Sequence, residues 1–129
     1  MRLYKIICYS TAILFSFLMI QLMAIPEKFA ADLGLIPGTG VSVVLRRAAI
    51  FMAGIVVLTI GIRNLPPSRS RQSVCISLAV TFLGLSTMGS IEFFRGTVNS
   101  SILLSIFIEL SLAMAYLIVF IRSRKFVNL

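Results

Sequence analysis

Apolar residues fall in four long runs that are separated by short polar stretches. The runs cover about residues 4–25, 41–62, 73–94 and 101–121. Each has the roughly 20 residues that a helix needs in order to cross about 30 Å of hydrocarbon. The pattern therefore predicts an all-α fold, a four-helix transmembrane bundle, in a single integral membrane domain that covers residues 1–129.

The longest connector is predicted to hold a short helix of its own. Residues 27–33 form one or two amphipathic turns, Gly34 would end them, and the Pro-Gly-Thr-Gly stretch at 37–40 is typical of a turn. The connector also carries the apolar side chains Phe29, Leu33, Leu35 and Ile36. Two interpretations follow: the connector folds back over the mouth of the bundle, or it lies against lipid headgroups.

Composition agrees with a membrane protein. Of the 129 residues 59% are hydrophobic, and the mean hydropathy is +1.06, whereas a soluble domain is about 45–50% apolar. The chain has no histidine, the residue that most often binds haem, zinc or copper. Its two cysteines, Cys8 and Cys75, form no Cys-x-x-Cys motif and are expected to be buried or to face lipid. We therefore predict no cofactor and no metal.

The basic residues indicate the topology. In a four-span chain one side would carry eight of the twelve: Arg2, Lys5, Arg63, Arg69, Arg71, Arg122, Arg124 and Lys125. The positive-inside rule makes that side cytoplasmic, with both termini inside, in a bacterial inner membrane. The other four basic residues and all four acids belong to the opposite half. Because the charges flank apolar runs, the expected partner is the lipid bilayer and not a nucleic acid.

The first apolar run also has some features of a signal peptide. Basic residues precede it, and Ala24 lies at its end. The run is long, however, and position 22 is Leu22 where a cleavage site prefers a small residue. We expect an uncleaved helix.

Glu109 is the only charged residue in the fourth run. An ionisable group inside a membrane span is a functional-site hypothesis by default. Small or polar residues recur with it every four positions, at Ser101, Ser105, Glu109 and Ala113. The opposite face carries Leu103, Phe107, Leu110 and Met114, which suit lipid. Glu109 is therefore predicted to face the interior of the bundle.

The second run begins with two arginines, Arg46 and Arg47. Arg47, Gly54 and Gly61 are seven residues apart and share a helical face. Small residues mark the packed side of a membrane helix, so both arginines are predicted to face the bundle or its seam.

These arginines and two acids are predicted to form one polar cluster in the outer third of the bundle. The second and fourth runs have the same direction, and Arg47 and Glu109 differ in depth by about 6 Å. The third run brings Glu92 near the same rim. The cluster of Arg46, Arg47, Glu92 and Glu109 has three interpretations: a structural clamp, a site that handles a ligand or a proton, or arginines that reach lipid phosphates.

The layout resembles the DoxX-like family of small four-helix bacterial membrane proteins. The resemblance covers about residues 41–121 and rests on Arg47-x6-Gly54-x6-Gly61-Ile-Arg63 and on Ile108-Glu109-Leu110-x2-Ala113. It implies a subunit of a membrane redox or quinone-linked complex, or a contact with a quinone or lipid. It identifies no catalytic residue.

The expected function is therefore that of a non-catalytic accessory subunit. It would contact other membrane-protein subunits or a second copy of itself, and a lipid or quinone. No enzyme is expected, because the chain offers no nucleophile and base arrangement without histidine. The alternative is a binder or transporter of a small molecule or lipid that uses Glu109 as a protonatable site.

Overall fold

The computed structural model describes residues 2–127, with the side chains of residues 2–124, and this part of the chain is all-helical. Its helices are α1 (Arg2–Ala24), α2 (Pro26–Asp32), α3 (Thr39–Ile62), α4 (Arg69–Phe94) and α5 (Ile102–Val127). All except α2 are long and apolar enough to cross a membrane. The predicted four-helix transmembrane bundle is confirmed, and the chain is a multi-pass membrane protein. The side chain of Lys125, one of the predicted cytoplasmic charges, lies outside the described part.

Three of the spanning helices, α1, α3 and α4, begin earlier than their apolar runs do. Thr39 and Gly40 belong to the first turn of α3 and not to the preceding turn. At α4 the Ser68 hydroxyl accepts a hydrogen bond from the backbone N–H of Arg71 at 3.2 Å. This N-cap lets the helix begin at Arg69, four residues before the apolar run. The helix therefore includes Arg69 and Arg71, which precede the apolar run.

Two helix pairs make the most extensive contacts, α1 with α3 and α4 with α5, and α1 also contacts α5. A groove lies between α1 and α5, where Ser10 and Ser111 line it. Another lies between α3 and α4, lined by Ile55 and Thr81. The order around the bundle is therefore α1, α3, α4, α5. This order places the two parallel helices α3 and α5 on a diagonal.

Aromatic rings fill the middle of the bundle. The Phe82 ring of α4 lies between Phe15 of α1 and Tyr116 of α5, at centroid distances of 5.4 and 5.9 Å. Thr11 donates its hydroxyl to the carbonyl of Ile7 at 2.8 Å. Because that hydroxyl has one proton, the Tyr116 hydroxyl is the donor in its 3.0 Å bond to Thr11 Oγ1. These contacts join α1, α4 and α5.

A glycine permits the close approach of α4 to α5. A Cβ atom added at Gly89 would lie 3.0 Å from Cγ1 of Ile106. Such a contact is tighter than most contacts of real Cβ atoms, so a larger residue would require the Ile106 side chain to shift. This is the use that membrane helices commonly make of small residues at their interfaces.

The packed face of α3 differs from the prediction. Arg46, Arg47, Gly54 and Gly61 are exposed, whereas Ser42, Ala49 and Thr59 are buried. Within the described part of the chain, a Cβ at Gly54 or Gly61 would meet no atom within 4 Å. The predicted inward orientation of this face was wrong. Seven-residue spacing defines a shared face but not its direction, and Ala49 is the small residue that lies in the interior.

Candidate functional site

A cavity of about 330 Å³ lies between the helices at the end of the bundle where α2 packs. Every helix contributes to its wall. The apolar part of the wall includes Leu14, Phe15, Phe29, Met52, Leu85 and Leu104. The polar part consists of Gln21, Asp32, Ser101, Ser105 and Glu109. The cavity is thus mainly apolar, with a few polar groups along one side.

The polar side of the cavity follows the predicted stripe of α5. Ser101, Ser105 and Glu109 line the cavity, and Ala113 and Tyr116 continue the stripe as buried residues. The opposite face is exposed, as expected of lipid-facing residues, at Leu103, Phe107, Leu110 and Met114. The predicted inward orientation of Glu109 is confirmed.

The short helix α2 covers the mouth of the cavity. Phe29, Asp32 and Leu33 from this segment line the wall, and Gly34 ends the helix with a φ of +80°. Of the two interpretations of the connector, the structure shows the one in which it folds over the bundle. The left-handed conformation at this position favours glycine.

Asn99, in the turn between α4 and α5, holds α2 in place. Its Nδ2 donates to the carbonyl of Asp32 at 2.9 Å, and its backbone N–H donates to the carbonyl of Leu33 at 2.9 Å. A Cβ at Gly34 would lie 3.3 Å from the Cβ of Asn99. Sequence reasoning missed Asn99, because a polar residue in a short turn carries no sign of a partner 67 residues away.

The carboxyl group of Glu109 has no partner within the part of the chain that the structure describes. It forms no ion pair there and no side-chain hydrogen bond. Among the residues that the structure describes, the wall of the cavity holds no lysine or arginine, and its only other charged residue is Asp32. The described residues also contain no group of three or more His, Cys, Asp or Glu that could hold a metal ion.

The structure does not bring the four residues of the predicted polar cluster together. Glu92 pairs with Arg95 at 3.4 Å, one turn away on its own helix. Arg46 lines a surface cleft beside Glu27 and Lys28, and Arg47 is exposed. Glu109 remains in the cavity. The physical reason is that α3 and α5 lie on a diagonal and that both arginines are on the exposed side of α3, whereas Glu109 lines the cavity.

A second polar site lies at the opposite end of the bundle, around Arg71. This side chain is only 6% exposed. Its Nε and Nη2 donate to Oγ of Ser123 at 3.2 and 2.6 Å, and Nη1 donates to the carbonyl of Leu65 at 3.4 Å. The guanidinium carbon lies 5.0 Å from the centre of the Tyr4 ring. Within the described residues no carboxylate pairs with it.

Both cysteines lie in the buried core that also contains Tyr4 and Tyr116. Cys8 of α1 and Cys75 of α4 are fully enclosed. Of the two locations expected for them, the structure shows the buried one. They therefore contribute packing to the end of the bundle where Arg71 lies.

The chain matches no protein-family model, no curated protein and no solved structure. The resemblance to the DoxX-like family stays a prediction.

Proposed function

We propose that this chain is a non-catalytic membrane protein that binds a small, mainly apolar molecule in the cavity beneath α2. The observation that carries the proposal is a cavity of about 330 Å³ whose largely apolar wall includes Glu109, a carboxyl group with no ion-pair partner among the described residues. Ligand sites are typically apolar cavities of about 300–1,000 Å³ with a few polar groups that orient the ligand. The cavity lies at the small end of that range.

The wall offers a division of roles. Phe15, Phe29 and Leu104 provide apolar contact area, which gives affinity without direction. Gln21 and Ser105 add neutral donors and acceptors. Glu109 accepts hydrogen bonds when ionised and also donates one when protonated. It is therefore the group best suited to orient the polar end of a guest.

For the location we propose a bacterial inner membrane, with both termini in the cytoplasm. Support comes from the basic residues at the start of α1, between α3 and α4, and near the end of α5. Four spanning helices leave these three places on the same side. In this topology α2 and the cavity belong to the outer half of the membrane.

We expect Ser105→Phe to abolish binding, because the new ring would occupy the cavity. The probe is neopentylbenzene, titrated into protein in phosphatidylcholine nanodiscs with carbon-13 methyl-labelled methionine. Met52 lines the cavity, whereas Met114 is exposed on the outer face of α5. Wild-type protein should show a saturable NMR shift at Met52 and none at Met114.

Ser111→Phe is the matched control, because Ser111 lies on the same helix but is exposed. This variant should keep the shift at Met52. If the wild-type Met52 signal does not saturate, or if both variants respond alike, the proposed binding function is wrong.

We propose an accessory-subunit role as a second function, supported by the uncovered face of α3. Gly54 and Gly61 are exposed there, with space above both backbones, and a helix of another membrane protein can approach such a surface closely. Purification in mild detergent should then give a complex larger than the single chain. Gly54→Leu should release the partner, whereas Val80→Leu on the exposed face of α4 should not. A single chain in the wild-type preparation would contradict this role.

A further inference from the structure

The wall of the cavity carries negative charge alone. The chain has twelve basic residues and four acids, yet in the described part of the chain Glu109 and Asp32 are the charged residues of the wall and no basic residue accompanies them. The other two acids, Glu27 and Glu92, have basic neighbours: Lys28 and Arg46 line the cleft of Glu27, and Arg95 pairs with Glu92. The cavity is thus the place where acidic side chains lack a cation.

Glu109 lies inside the apolar span of α5, well away from the end of the helix. It is seven residues from Ile102, the first residue of α5, and a rise of 1.5 Å per residue places it about 10 Å below the start of that helix. A carboxylate at such a depth is costly unless a positive charge or a proton accompanies it. No side chain among the described residues provides the positive charge, so a guest in the cavity is the group in position to do so.

Aromatic rings in the cavity wall also favour the binding of a cation. Phe15, Phe17 and Phe29 line the same cavity. The faces of aromatic rings attract cations, most strongly where water is excluded, and quaternary ammonium groups are commonly bound in this way. Asp32 lies on the segment that covers the mouth, where its charge would attract a cation towards the cavity.

We propose that the guest is a monovalent organic cation with an apolar body, such as a substituted ammonium carrying one ring, and that the Glu109 carboxylate is its counter-ion. This inference rests on the proposed binding function and specifies the chemical class of the guest. The ring or chain of the guest would pack against the apolar wall, and its cationic group would lie beside Glu109.

A pair of isosteric probes tests the charge of the guest. Benzyltrimethylammonium and neopentylbenzene have the same shape, with nitrogen in one where the other has carbon. Both are titrated in nanodiscs of phosphatidylcholine, a lipid without net charge, with the Met52 methyl shift as readout. Each Kd is expressed in terms of the concentration of the probe in the bilayer. We expect benzyltrimethylammonium to bind at least about tenfold more tightly than neopentylbenzene, because an ion pair shielded from water is strengthened.

Three substitutions show whether Glu109 is the counter-ion. Glu109→Gln should remove the preference for the cation, so that the ratio of the two Kd values falls to about one. Glu109→Asp, which keeps the charge, should retain a preference for the cation. Glu92→Gln, which changes an acid already paired with Arg95, should have no effect on either probe.

The outcomes separate the two proposals. If neopentylbenzene saturates the site but the cation binds no more tightly, the cation inference is overturned and the proposed binding function stands. If neither probe saturates the Met52 shift, both are overturned. If Glu109→Gln weakens both probes equally while the Met114 signal is unchanged, Glu109 shapes the cavity without selecting charge, and the inference is overturned.

Discussion

Arg71→Ala is expected to lower the free energy of unfolding by about 3 kcal/mol, within the range found when a buried hydrogen-bonded network is broken. The substitution removes the donors to Ser123 and to the carbonyl of Leu65. It also removes the cation that lies over the Tyr4 ring and leaves a void among buried side chains. The measurement is the unfolding equilibrium in mixed micelles of mild and denaturing detergent.

Burial of a guanidinium is itself costly, so Arg71 stabilises the fold only if its contacts contribute more than this desolvation cost. Hydrogen bonds from a charged donor contribute about 1.5–3 kcal/mol each, and Arg71 makes bonds to two acceptors. Together with the stacking on Tyr4 and the lost packing, these contributions exceed the relief of desolvation. Arg71→Lys should cost about half as much, since an ammonium group cannot reproduce the planar fork.

Arg69→Ala is the matched control for Arg71. Arg69 is a basic residue in the same turn of α4, but it is exposed. Its substitution should change the free energy of unfolding by less than about 0.5 kcal/mol. A variant at Arg71 as stable as the wild type would mean that the buried guanidinium contributes no net stability.

Phe82→Ala is expected to cost about 3 kcal/mol, the lower end of the range for a phenylalanine removed from a core. Phe82 is 0% exposed and contacts the rings of both Phe15 and Tyr116. Lipid is as apolar as the core, so a smaller part of the loss comes from the hydrophobic effect than in a soluble protein. Most of it comes from the cavity and from lost dispersion contacts. The unfolding equilibrium described for Arg71 measures this loss.

Phe94→Ala provides the comparison on the same helix. Phe94 is 86% exposed and should tolerate the change with a loss below about 0.5 kcal/mol. Equal losses at both positions would show that the central ring stack does not hold the bundle together. The loss in a double variant of Phe82 and Phe15 should differ from the sum of the two single losses, because the effects of substitutions at residues in contact are not additive.

The features that could be predicted from the sequence are those that depend on the residues of one segment alone. Four apolar runs predicted the four spanning helices. The turn residues around Gly34 predicted the end of α2, where φ is positive. The stripe from Ser101 to Ala113 predicted which face of α5 is inside, because a polar stripe in an apolar helix has a single favourable direction.

The features that could not be predicted depend on which helices are neighbours. In a membrane, apolar residues suit both the core and lipid, so hydrophobicity does not mark the packed face of α3. Arg47 and Gly54 were therefore assigned to the wrong side, and a cluster was expected across what is a diagonal of the bundle. Arg71 was missed because the Ser68 cap extends α4 beyond its apolar run.

The bond between Thr11 and Tyr116 has a consequence for the order in which the protein is made. The two residues are 105 positions apart, and chains are synthesised from the amino terminus. When α1 enters the membrane, α5 does not yet exist. The Thr11 hydroxyl nonetheless has a partner, because it donates to the carbonyl of Ile7 within its own helix. The hydroxyl proton of Thr11 is therefore already hydrogen-bonded in the bilayer before α5 is inserted. An oxygen lone pair of Thr11 stays free to accept the later hydrogen bond from Tyr116.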